Sequence, residues 1–314
     1  MWDFPLFPET ATELAGKVDA VYFGELAVCV AFTALICILI LFYAIKYRKG
    51  STANRENAVT HHLVLEIVWI VIPLFISMGI FAAATMVYLE MFRAPSNASE
   101  VYILGRQWMW QIQHPNGKRE INELHIPIGQ PVKLMMTSQD VIHSFYIPAF
   151  RAKQDVLPGR YTSMWFQPNK AGKYHLFCAE YCGTSHSQMI GSIYVMEPAD
   201  YERWLSSGTQ TQTLATSGSQ LFKSYGCSGC HGLNATVRAP LLEGVYGHPV
   251  PLEGGSVVTA DEKYIRDSIL LPMSQVVAGY KPVMPTYQGR ISEDELLKII
   301  AYIKALGRNE RSGQ

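Results

Sequence analysis

Two long apolar runs near the N-terminus constrain this fold more than any other feature of the chain. From about Leu26 to Ile45 there is no charge, and roughly 20 such residues is the length a helix needs to cross a bilayer core. Lys46, Tyr47, Arg48 and Lys49 end the run. A second run, about Leu63 to Leu89, carries one charge, Glu66, near its start. The pattern predicts two transmembrane helices, at about 20–46 and 63–91, following a short N-terminal tail. A cleaved signal peptide is disfavoured, because the N-terminus holds Asp3, Glu9 and Glu13, lacks a basic region, and leads into too long an apolar run. The loop between the runs carries Lys46, Arg48, Lys49 and Arg55 against Glu56. By the positive-inside rule that loop is cytoplasmic, and everything after Leu89 lies outside. Cys29 and Cys37, inside the first run, read as packing residues.

With 314 residues, the chain has room for two globular domains beyond this hairpin. Its formal net charge is zero, so no global positive field supports nucleic-acid binding. From Val101 to Met196 the pattern changes to short alternating runs. Val101–Leu104, Trp108–Ile112, Pro131–Met136, Tyr161–Phe166, Lys173–Phe177 and Ser192–Met196 read as strands, separated by turns such as Pro115-Asn-Gly117 and Pro158-Gly159. Many short strands imply a sandwich or barrel. Residues 206–218 are rich in Ser, Gly, Thr and Gln, and such a composition reads as a flexible linker. A helical section of roughly 95 residues follows, of modest domain size. Its last helix opens on the capping-box pattern Ser292-Glu-Asp-Glu295 and stops at Gly307.

The cysteines divide into pairs. Cys178-Ala-Glu-Tyr-Cys182-Gly-Thr-Ser-His186-Ser-Gln-Met189 gathers two thiols, an imidazole and a thioether. Two thiolates can bridge a pair of coppers, and soft sulfur with imidazole suits copper far better than calcium or magnesium. His143, in Asp140-Val-Ile-His143, is placed to supply a second imidazole. A structural zinc site is the competing reading, although zinc has little use for a thioether and its Cys pairs are usually C-x-x-C. Cys227-Ser-Gly-Cys230-His231 is C-x-x-C-H, the attachment signal of c-type haem. Its two thiols would bond the haem vinyl groups and the imidazole would ligate the iron. The rival reading is a redox dithiol or half a zinc site, but neither a βαβ context nor two further ligands accompany it.

In this order, the hairpin, the donor cluster and the C-x-x-C-H section resemble subunit II of the haem–copper oxidases, of the caa type with a fused C-terminal cytochrome c domain. The resemblance spans nearly the whole chain. It implies a multidomain membrane protein: hairpin and tail at 1–95, an all-β cupredoxin-like Greek-key barrel at 96–205, the linker at 206–218 and an all-α class I cytochrome c domain at 219–314. Metal ligands would lie on loops at one end of the barrel. Carried over residue by residue, Cys178 and Cys182 would bridge the binuclear centre CuA, with His143 and His186 terminal. Met189 would be a weak axial ligand, and Glu180 would offer its carbonyl. The Glu180 side chain would help hold Mg2+ at the boundary with subunit I.

For the haem, Met284 would be the sixth ligand, with Met273 and His248 as rivals. Trp108, in Gly105-Arg-Gln-Trp108-Met-Trp110, matches the family's electron entry point, although Met109 stands where the family has an aromatic residue. Core packing is the ordinary role of such a Trp. Glu66, in Glu66-Ile-Val-Trp69-Ile-Val-Ile-Pro73, matches the entry of a proton channel, and an intramembrane carboxylate is a functional candidate by default. The function implied is electron entry to a respiratory terminal oxidase, from haem c through CuA to haem a in subunit I, where oxygen is reduced with proton pumping. The partners implied are subunit I, other membrane subunits and an external donor: a cytochrome c, an iron–sulfur protein or a quinol-oxidising complex. The location implied is a bacterial plasma membrane with both redox domains on the periplasmic face. A stand-alone membrane-anchored electron carrier, or a subunit of a nitrogen-oxide reductase, would share these motifs.

Overall fold

The computed structural model describes residues 7–56, 61–207, 213–232 and 239–307. Helix α1 (Glu13–Lys46) and helix α2 (Leu63–Phe92) form the hairpin. Lys17, near the start of α1, meets Glu90, near the end of α2, at 2.7 Å, so the two run antiparallel. Apolar side chains such as Ile38, Ile40, Leu41 and Phe81 stay exposed on them, as a bilayer-facing surface requires. Helix α1 begins seven residues before the expected start. The cause is local: Thr12 accepts the Ala15 amide at 3.0 Å, and Glu13 sits where the helix dipole favours an anion. At 1.5 Å per residue α1 is about 50 Å long, against about 30 Å for a bilayer core. Its first turns therefore project, and there Arg151 grips Asp19 through two bonds of 2.8 and 2.9 Å. Trp165 donates to the Glu90 carbonyl at 3.0 Å, so the β-domain is seated on both helices.

The β-domain comprises β1 (Ser99–Arg106), β2 (Met109–Gln113), β3 (Arg119–Ile121), β4 (Glu123–Pro127), β5 (Val132–Ser138), β6 (His143–Ile147), β7 (Ala152–Val156), β8 (Thr162–Phe166), β9 (Gly172–Cys178) and β10 (Ile190–Met196). Two five-stranded sheets, ordered β3-β2-β1-β5-β8 and β4-β10-β9-β6-β7, form a cupredoxin-like sandwich. Trp110, Phe145, Phe166, Leu134 and Leu176 fill the space between them. All the strands expected from alternation form. Among the strands that sequence alone left unread, β6 is buried on both faces and so lacks the period-two signal.

Beyond it lie α3 (Pro198–Ser206), α4 (Leu214–Ser224), α5 (Ser228–His231), a small ribbon of β11 (Pro249–Pro251) and β12 (Val257–Thr259), α6 (Glu262–Leu270) and α7 (Glu293–Leu306). The capping box at Ser292 and Glu295 forms as the sequence predicts. The stretch 206–218 differs from its expectation as a linker. Ser206 ends α3, residues 208–212 lie outside the described residues, and α4 starts at Leu214, capped by Thr213. Its small residues serve packing: a Cβ on Gly218 would sit 1.9 Å from the Lys298 carbonyl, so only glycine allows α4 and α7 to cross this closely.

The helical unit rests on the outer face of the β1–β5–β8 sheet. Alternation turns Val101, Ile103, Leu134 and Met136 inward and leaves Tyr102 and Met135 facing out. There they pack with Leu214 and Leu297, flanked by Tyr161 and Ala301. Helix α7 is thus buried on two sides: Leu296, Ile299, Ile300 and Ile303 enter the core of the helical unit, while Leu297, Ala301 and Lys304 meet the sandwich.

Candidate metal centre and haem cavity

The soft donors converge at one end of the sandwich. Cys178 ends β9 and Met189 immediately precedes β10, so antiparallel pairing of Phe177 with Ile190 closes the loop between them. The Cys178 amide donates to the Met189 carbonyl at 3.1 Å, and a short turn at His186–Gln188 folds the imidazole back. The Cys178 and Cys182 sulfurs lie 3.8 Å apart. His143 Nδ1 is 3.9 Å from Cys178 Sγ, and His186 Nδ1 is 3.5 Å from Cys182 Sγ, giving each sulfur its own imidazole. Met189 Sδ stands 3.7 Å from Cys182, and the Glu180 carbonyl 3.3 Å from Cys178. Every donor named from the sequence is therefore in the cluster. His143 comes from the first residue of β6 instead of a loop, which fixes it by ladder pairing with Val156.

Asp140, which sequence reasoning passed over, orients that imidazole. Its Oδ1 lies 2.8 Å from His143 Nε2, leaving Nδ1 toward the sulfurs, and its other oxygen accepts the Gln107 amide at 2.7 Å. A carboxylate behind a ligating imidazole fixes both tautomer and ring plane. Its position three residues before His143 was the available signal. Burial pushes both thiols up, but bonds from His143 and from backbone at Ser144 and Glu180 bring Cys178 below the ordinary thiol value. Cys182 is raised by burial and by the neighbouring charge on Cys178. The first proton therefore leaves Cys178. Softness, convergence and an easily formed thiolate fit copper.

Trp108 lies in the turn joining β1 to β2, half-buried against the sandwich core. Gln107 Nε2 donates to the Cys182 carbonyl at 2.8 Å, so this turn braces the ligand loop. Gly183, at φ 116°, permits the approach, since a Cβ there would come within 2.8 Å of Gln107 and 3.4 Å of the Trp108 ring. Glu180 is exposed at the same end. Glu66 sits far from both clusters in the first turn of α2, where Oε1 accepts the His62 amide at 3.1 Å and lies 3.9 Å from His61. That arrangement caps the helix and complements its dipole.

A second cluster on the sandwich joins His114, Glu120 and His125. His114 Nε2 is 2.7 Å from Glu120, His125 holds the other oxygen, and Trp204 stacks on His125 at 4.4 Å. Burial pushes the Glu120 carboxyl up, and the two imidazoles more than offset it. With both oxygens engaged, the cluster fastens α3 to the sandwich.

In the helical unit, Cys227, Cys230, His231 and Met284 line one apolar cavity of about 260 Å³ with Phe222, Ile269, Tyr287 and Ile303. The single turn of α5 puts both thiols and the imidazole on one wall. The Pro240 carbonyl is 2.9 Å from His231 Nδ1, which leaves Nε2 for the cavity. Met284 lies on the lining, whereas Met273 is 62% exposed and His248 is exposed, with its Nδ1 3.3 Å from the Tyr246 carbonyl. Gln275 Oε1 is buried on the lining without a partner among the described groups. A mostly apolar hollow with two thiols and an oriented imidazole on its wall fits a haem.

Comparison with known proteins divides the chain into the same three parts. Residues 1–86 match the model of the cytochrome c oxidase subunit II transmembrane domain, 118–196 that of its periplasmic domain, and 215–307 that of cytochrome c. Cytochrome c oxidase subunit 2 of Alkalihalophilus pseudofirmus is 29% identical over 95% of this chain and 90% of its own. The alternative cytochrome c oxidase subunit 2 of Bradyrhizobium diazoefficiens is 32% identical over 52% of this chain and 64% of its own. The crystal structure of the periplasmic domain of subunit II of cytochrome oxidase of Bradyrhizobium japonicum aligns with a TM-score of 0.36 and 28% identity, covering 37% of this chain and 96% of that one. Hairpin, sandwich and helical unit thus each find their counterpart, and the chain belongs to the cytochrome c oxidase subunit II family, with a cytochrome c domain at its C-terminal side.

Proposed function

We propose that this chain is the electron-entry subunit of a respiratory terminal oxidase, carrying electrons from a covalent haem c through CuA toward subunit I. The observation that carries this reading is the pairing of each cysteine sulfur with its own imidazole at one end of the sandwich. Bound at these two places, haem and the copper pair supply one-electron carriers. Cys178, Cys182, His143 and His186 would hold the coppers, with Met189 and the Glu180 carbonyl completing the set. Asp140 holds the His143 ring in its ligating tautomer. Cys227 and Cys230 would anchor the haem, and His231, oriented by the Pro240 carbonyl, and Met284 would ligate its iron. A thioether at that position favours reduced iron and suits an acceptor of respiratory electrons.

Around this core, the turn that holds Gln107 and Trp108 braces the ligand loop, and Trp108 is the point where electrons enter the copper centre. Glu66 serves at the mouth of a proton channel, and the exposed Glu180 carboxylate helps hold Mg2+ against subunit I. The basic loop 46–55 lies in the cytoplasm and both redox units lie outside, where a cytochrome c, an iron–sulfur protein or a quinol-oxidising complex delivers electrons. The units are a tail and hairpin to about residue 95, the copper domain to about 205, and the cytochrome domain beyond. Metal and haem analysis of the intact complex tests the reading, with two coppers and one covalent haem in this chain as the expected result. Zinc in place of copper would overturn it. Co-purification with a polytopic subunit carrying haem a, together with oxygen consumption, separates an oxidase subunit from a stand-alone carrier.

A further inference from the structure

A linker rich in Ser, Thr and Gln suggests a cytochrome unit that swings, but the contacts between the two units describe something else. Lys304 of α7 is buried, its side chain 6% exposed, between Glu100 of β1 at 2.7 Å and Glu262 of α6 at 2.6 Å. Its ammonium also lies 4.6 Å from the centre of the Tyr246 ring. One carboxylate of this triad belongs to the sandwich and the other to the helical unit. Arg266 is similarly buried, donating to the Gly159 carbonyl of the sandwich at 2.8 Å and pairing with Glu293 of α7 at 2.5 Å. Undocking would strip Lys304 of one partner, expose Tyr102, Met135, Leu214 and Leu297, and free the Gly159 carbonyl. A buried ion pair that loses one member is costly, unlike a surface pair.

The Arg266 contact also points toward the copper ligands. Gly159 lies two residues after Leu157, whose carbonyl accepts the Ser138 amide at 3.1 Å, and Val156, just before Leu157, pairs in register with His143. On the other unit, Ile265 and Ile269 of the same helix line the haem cavity. The cavity still reaches the surface at Val283, which is 59% exposed.

We propose that Lys304 and Arg266 are positioning residues that clamp the cytochrome unit in one orientation on the outer face of the β1–β5–β8 sheet. The cavity then stands at a fixed place relative to the copper ligands while its mouth stays open to a donor. This rests on the reading of the two sites as haem and copper sites. The linker joins two units that are already docked.

The test uses the full chain in its complex, with a protease site placed within residues 208–212. After cutting at physiological salt, the two fragments are expected to co-elute. Glu100→Gln removes the sandwich half of the triad while leaving Lys304 and Glu262 paired inside the helical unit, which guards against simple unfolding. With Glu100→Gln or Arg266→Met, the dissociation constant of the cut fragment should rise on the order of a hundredfold or more. Arg119→Ala, which removes the exposed pair with Asp294 at 3.4 Å, should change it less than about fivefold. In uncut Glu100→Gln, copper reduction after rapid reduction of the haem should slow, with both absorption spectra unchanged; a merely structural role would not move that rate. Separation of the wild-type fragments, or equal retention of wild-type and both variants, would overturn the clamp. Copper and haem content measured on the same sample shows separately whether the underlying reading fails, because co-elution reads protein association alone.

Discussion

The two redox units hold their groups in opposite ways. The copper end of the sandwich is a set of donors already in mutual contact, with Cys178, Cys182 and Met189 packed into the sandwich core itself. The helical unit is built around a hollow of about 260 Å³, and its residues Phe222, Ile269, Ile299 and Ile303 face that space. One unit positions a small ion by hydrogen-bonded strands, and the other completes its core with a large apolar group. The first should therefore tolerate loss of its metal, and the second should not tolerate loss of its haem.

The largest effect expected from this contrast comes from blocking haem attachment with Cys227→Ala and Cys230→Ala together. Without haem, apolar walls such as Phe222, Ile269 and Ile303 would face water, a loss of about 5 kcal/mol that is comparable to the stability of a small domain. Proteolysis should then remove the helical unit and leave the sandwich, with its copper, resistant. A protease-resistant, helical unit without haem would break the comparison. Next in size is Gly218→Val at the crossing of α4 and α7, where the new side chain would collide with the Lys298 backbone. It should cost about 3 kcal/mol, read as a fall in the melting temperature of the haem-bound unit while the copper signal stays in place.

Asp140→Asn probes the other side of the contrast, because it alters only the orientation of one ligand. Copper affinity should drop about 10- to 100-fold with little change in the unfolding of the sandwich, as competition with a chelator would reveal. A large loss of sandwich stability would mean that Asp140 supports the fold and does more than orient the His143 ring.

The smallest effect concerns pH at the docked face. Burial raises the Glu100 and Glu262 carboxyls, but Lys304, joined by Lys133 at Glu100 and by the Tyr246 hydroxyl at Glu262, more than offsets this and holds both below their ordinary value of 4.5. Burial lowers Lys304, and Tyr102, Glu262 and Glu100 more than offset that, so it is raised above 10.5. Glu262 keeps Lys304 after undocking, so the docking term belongs to Glu100, whose contribution is full above about pH 4.5 and is lost as pH falls through its folded value. The lysine contribution is full below 10.5 and fades only in strong base. Fragment release after linker cutting should thus increase on acidification below about pH 4.5 and stay flat through neutrality. Release that grew between pH 6 and 8 would point to histidine in place of this triad.

Much of this organisation was legible in the chain. Apolar length gave the hairpin, alternation gave most of the strands, and the spacing from Cys178 to Met189 and from Cys227 to His231 named the donors, because adjacent ligands leave a local signature. What escaped was built from distant residues. Asp140 was quoted beside His143 without a role. Lys304, Glu100 and Glu262 are scattered along the chain and carry no local pattern, and Gly218 falls in a stretch that reads as a flexible linker.

By itself, the sequence determined which atoms can bind a soft metal and a covalent haem, and which segments must lie in lipid, since both follow from composition and short-range spacing. Only the tertiary structure decided that His143 starts a strand, that Met284 and not Met273 lines the haem cavity, and that the cytochrome unit is docked on the sandwich. Those outcomes depend on which faces pack together. A buried charge is recognisable as a clamp only when its partner arrives from more than two hundred residues away, as Glu100 does for Lys304.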